Sequence, residues 1–367
     1  MIFREEDKSL LDKLYEGRTL YQGELHDHAK TGGTSDGERP LSHWLGAMEP
    51  QQMDFAAILD HRQVRHMYQP EWDDSVFIGG TEPGASIYWD EEKTKKVGTL
   101  HYNMIFSDPK QLEALLDAFP EYEFTGGVEG HFKYPSFTME RFGELVDKVK
   151  ALGGFFVLPH PHPGVVSFGT KYGTWDDWGE IREEIAIEGI YISIDSEATP
   201  YCYKVWRHLL QKGKRIWVSA GGDLHKCAHE YALTSVYAEE KKSASIISHL
   251  RVGDYTAGHV GIQMCIGDTP MGGLCAFDGQ RLVVGVGKFH RFVKNPEHQY
   301  RLDVWQDESI VYSMPVSCTD PSYYAMDVDA ETKYYRVEVF DVTRNLRIAI
   351  GNPIWNKAKY VRTTKGA

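Results

Sequence analysis

Apolar runs of strand length alternate with amphipathic stretches up to residue 250, and this alternation constrains the fold more than any other feature of the sequence. Residues 53–59, 75–78, 100–106, 155–158, 190–194 and 215–219 read as buried strands. Between them, residues 138–152 place Met139, Phe142, Leu145, Val146, Val149 and Leu152 on one helical stripe that stops at Gly153-Gly154. Residues 201–211 and 243–250 read as further helices. Strands alternating with helices predict parallel βα units, and several in a row predict a barrel or a doubly wound sheet. Beyond residue 255 the helical period disappears. Residues 280–286, 300–306, 334–340 and 346–350 alternate with polar or Gly and Pro turns, which predicts an antiparallel β-domain. The change of pattern at residues 251–258 divides the chain of 367 residues into a first domain, 1–254, and a second, 255–367.

Charge and cysteine usage narrow the partners. Asp and Glu total 53 against 40 Lys and Arg, a formal charge of −13, so a nucleic-acid or anionic-membrane partner is not expected, because both need a basic patch. The N-terminal stretch has mixed charge and no apolar core, and no run of 18 apolar residues occurs, so neither a signal peptide nor a transmembrane helix is expected. Five cysteines, odd in number and without CxxC spacing, read as reduced thiols of a cytoplasmic protein.

The chemistry gathers where the strands of the first domain end. In Leu25-His26-Asp27-His28 the two imidazoles project to one side, because side chains on a strand alternate faces. Asp223 and His225 in Gly222-Asp223-Leu224-His225 do the same after residues 215–219. Between these pairs lie Asp60-His61, Gly80-Thr81-Glu82, Leu100-His101 and Pro159-His160-Pro161-His162. Any one of these taken alone is more often surface or capping chemistry. Jointly they are not, because burying so many ionisable groups without a cation costs several kcal/mol per group. Imidazole and carboxylate without thiolate suit Zn, Mn or Fe.

In this order the residues resemble the PHP (polymerase and histidinol phosphatase) superfamily: His26 and His28, Ser35-Asp36-Gly37, Leu59-Asp60-His61, Glu82, His101, His160-Pro161 and Gly222-Asp223-Leu224-His225. The resemblance spans residues 20–250 and implies a distorted (β/α)7 TIM-like barrel with up to three divalent ions at the carboxyl ends of its strands. It implies one ion on His26, His28, Glu82 and Asp223, with Glu82 bridging to a second on His101 and His160. A third would sit on Asp36, His61 and His225. The stretch between His28 and Asp36 is longer than the family pattern, through Thr31-Gly32-Gly33-Thr34. The closing residues 349–355 resemble the end of the β-sandwich that follows the barrel in the carbaryl-hydrolase-like branch.

Three divalent ions and three carboxylates leave about +3 at the site, which favours an anionic phosphate, and a water bridging two ions would be a hydroxide near pH 7. The expected activity is therefore a metal-dependent phosphoesterase acting on a small phosphorylated metabolite. An ester, carbamate or amide hydrolase on the same cluster is the alternative, and a non-catalytic, metal-stabilised binding module is the third reading. Asp60 and His162 are candidates for catalytic roles beside the ligands, Asp60 chiefly by orienting a ligand imidazole. Arg62, Lys171 and Lys226 flank the motifs and are candidates to hold the phosphate.

Overall fold

The computed structural model describes residues 3–122, 134–162, 175–227 and 231–362. It begins with α1 (Glu5–Leu14), where the Asp7 carboxylate accepts the Arg4 backbone amide at 2.8 Å. β1 (Thr19–Asp27) is buried from Gln22 to its end. There follow α2 (Leu41–Gln51), β2 (Phe55–Ile58), β3 (Phe77–Thr81), β4 (Gly84–Tyr88), β5 (Lys96–His101), β6 (Asn103–Phe106) and α3 (Pro109–Ala118). Next come β7 (Ser136–Thr138), α4 (Met139–Ala151), β8 (Phe155–Leu158), α5 (Trp175–Ile181), β9 (Ala186–Tyr191), α6 (Thr199–Gln211) and β10 (Trp217–Gly221). β11 (Leu233–Ala238), α7 (Ser243–Leu250) and β12 (Tyr255–Gly258) lead into the all-β part.

α4 shows how the sequence builds these elements. The Thr138 hydroxyl accepts the Arg141 amide at 3.1 Å and caps the helix, and Met139, Phe142, Leu145, Val146 and Val149 all point into the core. The helix ends before Gly153, which takes φ +88°.

The C-terminal part contributes β13 (Val260–Ile266), β14 (Thr269–Pro270), β15 (Leu274–Cys275), β16 (Arg281–Phe289), β17 (Tyr300–Gln306), β18 (Ser309–Val316), β19 (Ser322–Asp327), β20 (Tyr334–Asp341), β21 (Leu346–Gly351) and β22 (Ile354–Asn356). β14, β13, β16 and β19 form one sheet, and α1 packs on it through Leu11, which shares a cluster with Cys265, Val283 and Ala325. Arg281 on β16 donates to Asp7 of α1 at 2.9 Å.

One large sheet of 15 strands runs in the order β10-β9-β8-β6-β3-β2-β1-β11-β12-β21-β20-β17-β18, with β15 and β22 joined to its side. This sheet does not close into the distorted (β/α)7 barrel that the resemblance implies. β1, β2 and β3 are parallel, as are β8, β9 and β10, but β6 runs antiparallel to both β3 and β8. The cause lies between β3 and β6, where the chain makes the antiparallel β4–β5 pair instead of a crossover helix, so it re-enters the sheet in the opposite direction. Among the described residues no ladder joins β10 to β1. The two approach through a single parallel bridge between Asp27 and Leu224.

The reversal of β6 has a geometric effect at the strand ends. The start of an antiparallel strand lies at the same end of the sheet as the carboxyl ends of its parallel neighbours. His101, just before β6, is thereby brought beside Glu82, just after β3.

Candidate metal centre

All nine ligand candidates converge at this end of the sheet. Glu82 sits at their centre, 1% exposed at its side chain. Its Oε1 lies 3.0 Å from His101 Nδ1 and 2.8 Å from His160 Nε2. Its Oε2 lies 3.3 Å from His26 Nε2, 3.2 Å from His28 Nε2 and 3.4 Å from His61 Nδ1. Asp223 Oδ1 approaches His28 Nε2 at 3.1 Å and His26 Nε2 at 3.6 Å. Asp36 reaches His225 at 3.0 Å, His61 at 3.3 Å and His28 at 3.6 Å.

These contacts resolve into three compact groups: His26, His28, Glu82 and Asp223; His28, Asp36, His61 and His225; and His61, Glu82 and His101. The first repeats the set implied by the resemblance. The second adds His28 to the expected trio. In the third, His61 stands with Glu82 and His101, while His160 touches the same Glu82 oxygen as His101. His162, by contrast, stacks edge-on against Tyr201 with ring centroids 5.5 Å apart.

The loop carrying Asp36 is held from below. Asp60 accepts the Ala29 amide at 2.8 Å and the Thr31 hydroxyl, and the Gln63 amide donates to the Gly32 carbonyl at 2.7 Å. Gly37 passes so close to the Ala29 backbone that a Cβ would lie 2.3 Å from its carbonyl carbon, so only glycine fits. The lengthened stretch of residues 31–34 is thus tied down in a way that returns Asp36 to the cluster. Asp60 itself is fully buried, and His66, at 3.4 Å, is the imidazole paired with it. Its contacts tie it to the loop.

Of the phosphate-holding candidates, Arg62 lies 4.8 Å above the Tyr134 ring, and the Tyr134 hydroxyl is 3.2 Å from His101 Nε2. Lys226 points outward and pairs with Glu38 at 3.5 Å. Lys171 lies outside the described residues. Three non-glycine residues here adopt left-handed backbone: His160 at φ +33°, Asp223 at +53° and Arg62 at +55°. Such conformations are costly and collect at functional sites.

Sequence reasoning missed Glu188, Tyr191 and Glu24. Glu188 on β9 accepts from His26 Nδ1 at 2.8 Å and from the His160 amide at 2.7 Å. The Tyr191 hydroxyl donates to Asp223 Oδ2 at 3.0 Å, and Glu24 accepts the Gly222 amide at 2.6 Å. The available signal was a carboxylate inside an apolar strand run, as in residues 186–191.

The electrostatics are those of a charge-dense centre. Burial opposes the charge on His28, but Asp223 and Glu82 overcome it and raise its pKa to about 9. His26 is raised well above its ordinary value against the same burial, by Glu188, Glu82 and Asp223. Burial alone would push the Glu82 carboxyl up, yet His26, His101 and His61 hold it well below its ordinary value. Glu24, with burial dominant, rises to about 8.

Divalent ions fit this donor set. His26 Nε2, His28 Nδ1 and Glu82 Oε2 are buried without a hydrogen-bond partner, a costly condition that coordination would relieve. Ligands about 2.1 Å from a tetrahedral zinc stand about 3.4 Å apart, and the Glu82 Oε2 contacts of 3.2–3.4 Å match that spacing.

No family model matches the sequence, and no curated protein matches it significantly. Solved structures do. PHP-like proteins are among them. A two-domain protein from Bacteroides vulgatus, described as containing a "predicted PHP-like metal-dependent phosphoesterase", is 15% identical, with 92% of this chain and 95% of that one covered and a TM-score of 0.40. The lesion-specific endonuclease Q from Pyrococcus furiosus is 14% identical, with 67% and 62% covered and a TM-score of 0.43. An amidohydrolase from Chromobacterium violaceum is 15% identical, with 57% and 89% covered and a TM-score of 0.35. The expectation of no nucleic-acid partner rests on charge alone.

Proposed function

We propose that this protein is a metal-dependent hydrolase of the PHP type, and specifically a phosphoesterase for a small phosphorylated metabolite. The observation that carries the proposal is Glu82, one buried carboxylate facing five imidazoles, with its Oε2 and the facing His26 Nε2 both unpartnered. His26, His28, Asp36, His61, Glu82, His101, His160, Asp223 and His225 would hold up to three ions of Zn, Mn or Fe. Such ions supply an acidified water and positive charge to screen a phosphoryl group. The chain's own contribution is to fix the donors and exclude bulk water from Glu82, while the Asp36, His61 and His225 side remains open, with side-chain exposures of 49%, 23% and 33%.

The electrostatic argument for phosphate survives with a smaller margin. Glu188, itself buried, adds a fourth carboxylate next to His26, so a filled centre would carry about +2 instead of +3. Residues 1–254 would form the catalytic part and residues 255–367 the β-domain, in a reducing, cytoplasmic setting that suits five free thiols. Metal-reconstituted protein assayed against phosphomonoesters, phosphodiesters and carboxyl esters tests the reading, with phosphomonoesters expected to be cleaved fastest. Preference for a neutral ester would favour the carbonyl-hydrolase reading, and no turnover of any class by metal-loaded protein would favour a binding module.

A further inference from the structure

We infer that β9, which supplies no ligand, is the strand that sets the coordinating atoms of its neighbours, with Glu188 and Tyr191 as positioning residues. The inference rests on the metal-centre reading and adds to it. Along β9 the pairing with β10 runs Ser219 to Glu188 and then Ala220 to Ile190, so Gly189 is an extra, unpaired residue. A bulge of one residue reverses the alternation of faces. Glu188 and Tyr191, three apart, consequently project to the same side.

Each makes one oxygen-specific choice. Glu188 Oε1 takes His26 Nδ1 at 2.8 Å, and its Oε2 takes the His160 amide at 2.7 Å. With Nδ1 engaged as a donor, His26 presents Nε2 to Glu82 and Asp223. Tyr191 occupies Asp223 Oδ2 and leaves Oδ1 for the centre, where it faces His28 Nε2 at 3.1 Å. Glu188 is 1% exposed and Tyr191 6%, so water does not compete for either bond.

A carboxamide cannot replace the Glu188 carboxylate. Both of its partners are donors, and glutamine offers one acceptor and one amino group, so either His26 turns its Nδ1 lone pair toward the amide or the His160 bond is lost. The test is zinc affinity by chelator competition, together with the 15N and ring-proton signals of His26 in zinc-loaded protein. In the wild type a hydrogen-bonded Nδ1–H signal is expected. Glu188→Gln should weaken zinc binding about 10–100-fold and remove or shift that signal, while Tyr191→Phe should weaken binding less and leave the His26 signal in place. Folded Glu188→Gln protein with wild-type affinity and an unchanged His26 signal would overturn the inference. Failure of the wild type itself to take up zinc would overturn the metal-centre reading beneath it.

Discussion

Glu82 and Asp36 are both carboxylates of the candidate centre, but they do unequal work. Glu82 faces five imidazoles and is buried, whereas Asp36 faces three and its side chain is 49% exposed. Glu82→Gln should therefore strip more metal and more activity than Asp36→Asn, and elemental analysis of the two purified variants checks the order. Histidine supplies a second prediction. In the metal-free protein His28 keeps its proton up to about pH 9, because Asp223 and Glu82 outweigh the burial that opposes the charge. Only neutral imidazole coordinates, so zinc binding must expel that proton, and affinity should rise about tenfold per pH unit for this group until pH 9. The sign for stability is opposite. A raised folded-state pKa means that the His28 contribution to metal-free stability is complete below its ordinary value, near 6.5, and is lost as the pH climbs through 9. Calorimetric titrations in two buffers of different ionisation heat would detect the proton release, and its absence at pH 7 would contradict the prediction. Most of the ligand candidates were legible in the sequence because they lie at strand ends, as His26 and His28 do at the end of β1 and Asp223 and His225 after β10. Glu188 was not, because its partner His26 lies 162 residues away and only the register of the sheet brings the two together.

At the scale of elements, α4 was legible because its apolar stripe has one period and its ends carry local signals, Thr138 and Gly153. β9 was not read correctly. An apolar run suggested residues 190–194, whereas the strand is Ala186–Tyr191, with Glu188 breaking the hydrophobic signal at its middle. The reversed β6 was also hidden, since an apolar run of four to eight residues carries no direction. The bulge makes its own prediction. A Cβ at Gly189 would come within 2.4 Å of Val218 Cγ2, so Gly189→Ala must displace the Val218 side chain or β9 itself. It should destabilise the fold by about 1–3 kcal/mol and weaken zinc binding as well, because Glu188 and Tyr191 move with the strand. Thermal melts in the presence and absence of zinc separate the two effects; a variant that melts early but binds zinc normally would dissociate the bulge from the centre.

For the whole molecule, the acidic balance of −13 surrounds a centre that would be locally cationic once metallated. Inorganic phosphate should compete with a phosphomonoester substrate. EDTA should abolish turnover and lower the melting temperature, with zinc, manganese or iron restoring both, since a ligand bound only to the folded state at 100 times its Kd adds about 2.7 kcal/mol. Direct binding of phosphate that persists after chelation would place the anion site elsewhere. The large sheet carries a different consequence. It passes from β1 through β11 and β12 into β21 and β20, and Val218 on β10 donates its amide to the Asn352 side chain at 2.8 Å. A gene ending at residue 254 would strip β11 of its outer neighbour and leave the edge it turns to β12 at Thr234, Ser235 and Val236 unpaired, with β1 still pairing its other edge. Such a truncated product should collect in inclusion bodies instead of yielding a small working enzyme. Insertions and deletions in natural variants of this chain are then expected in the turns of the β-rich end and not at the seam, where the strands bearing the ligand candidates and the β-rich end share one backbone scaffold.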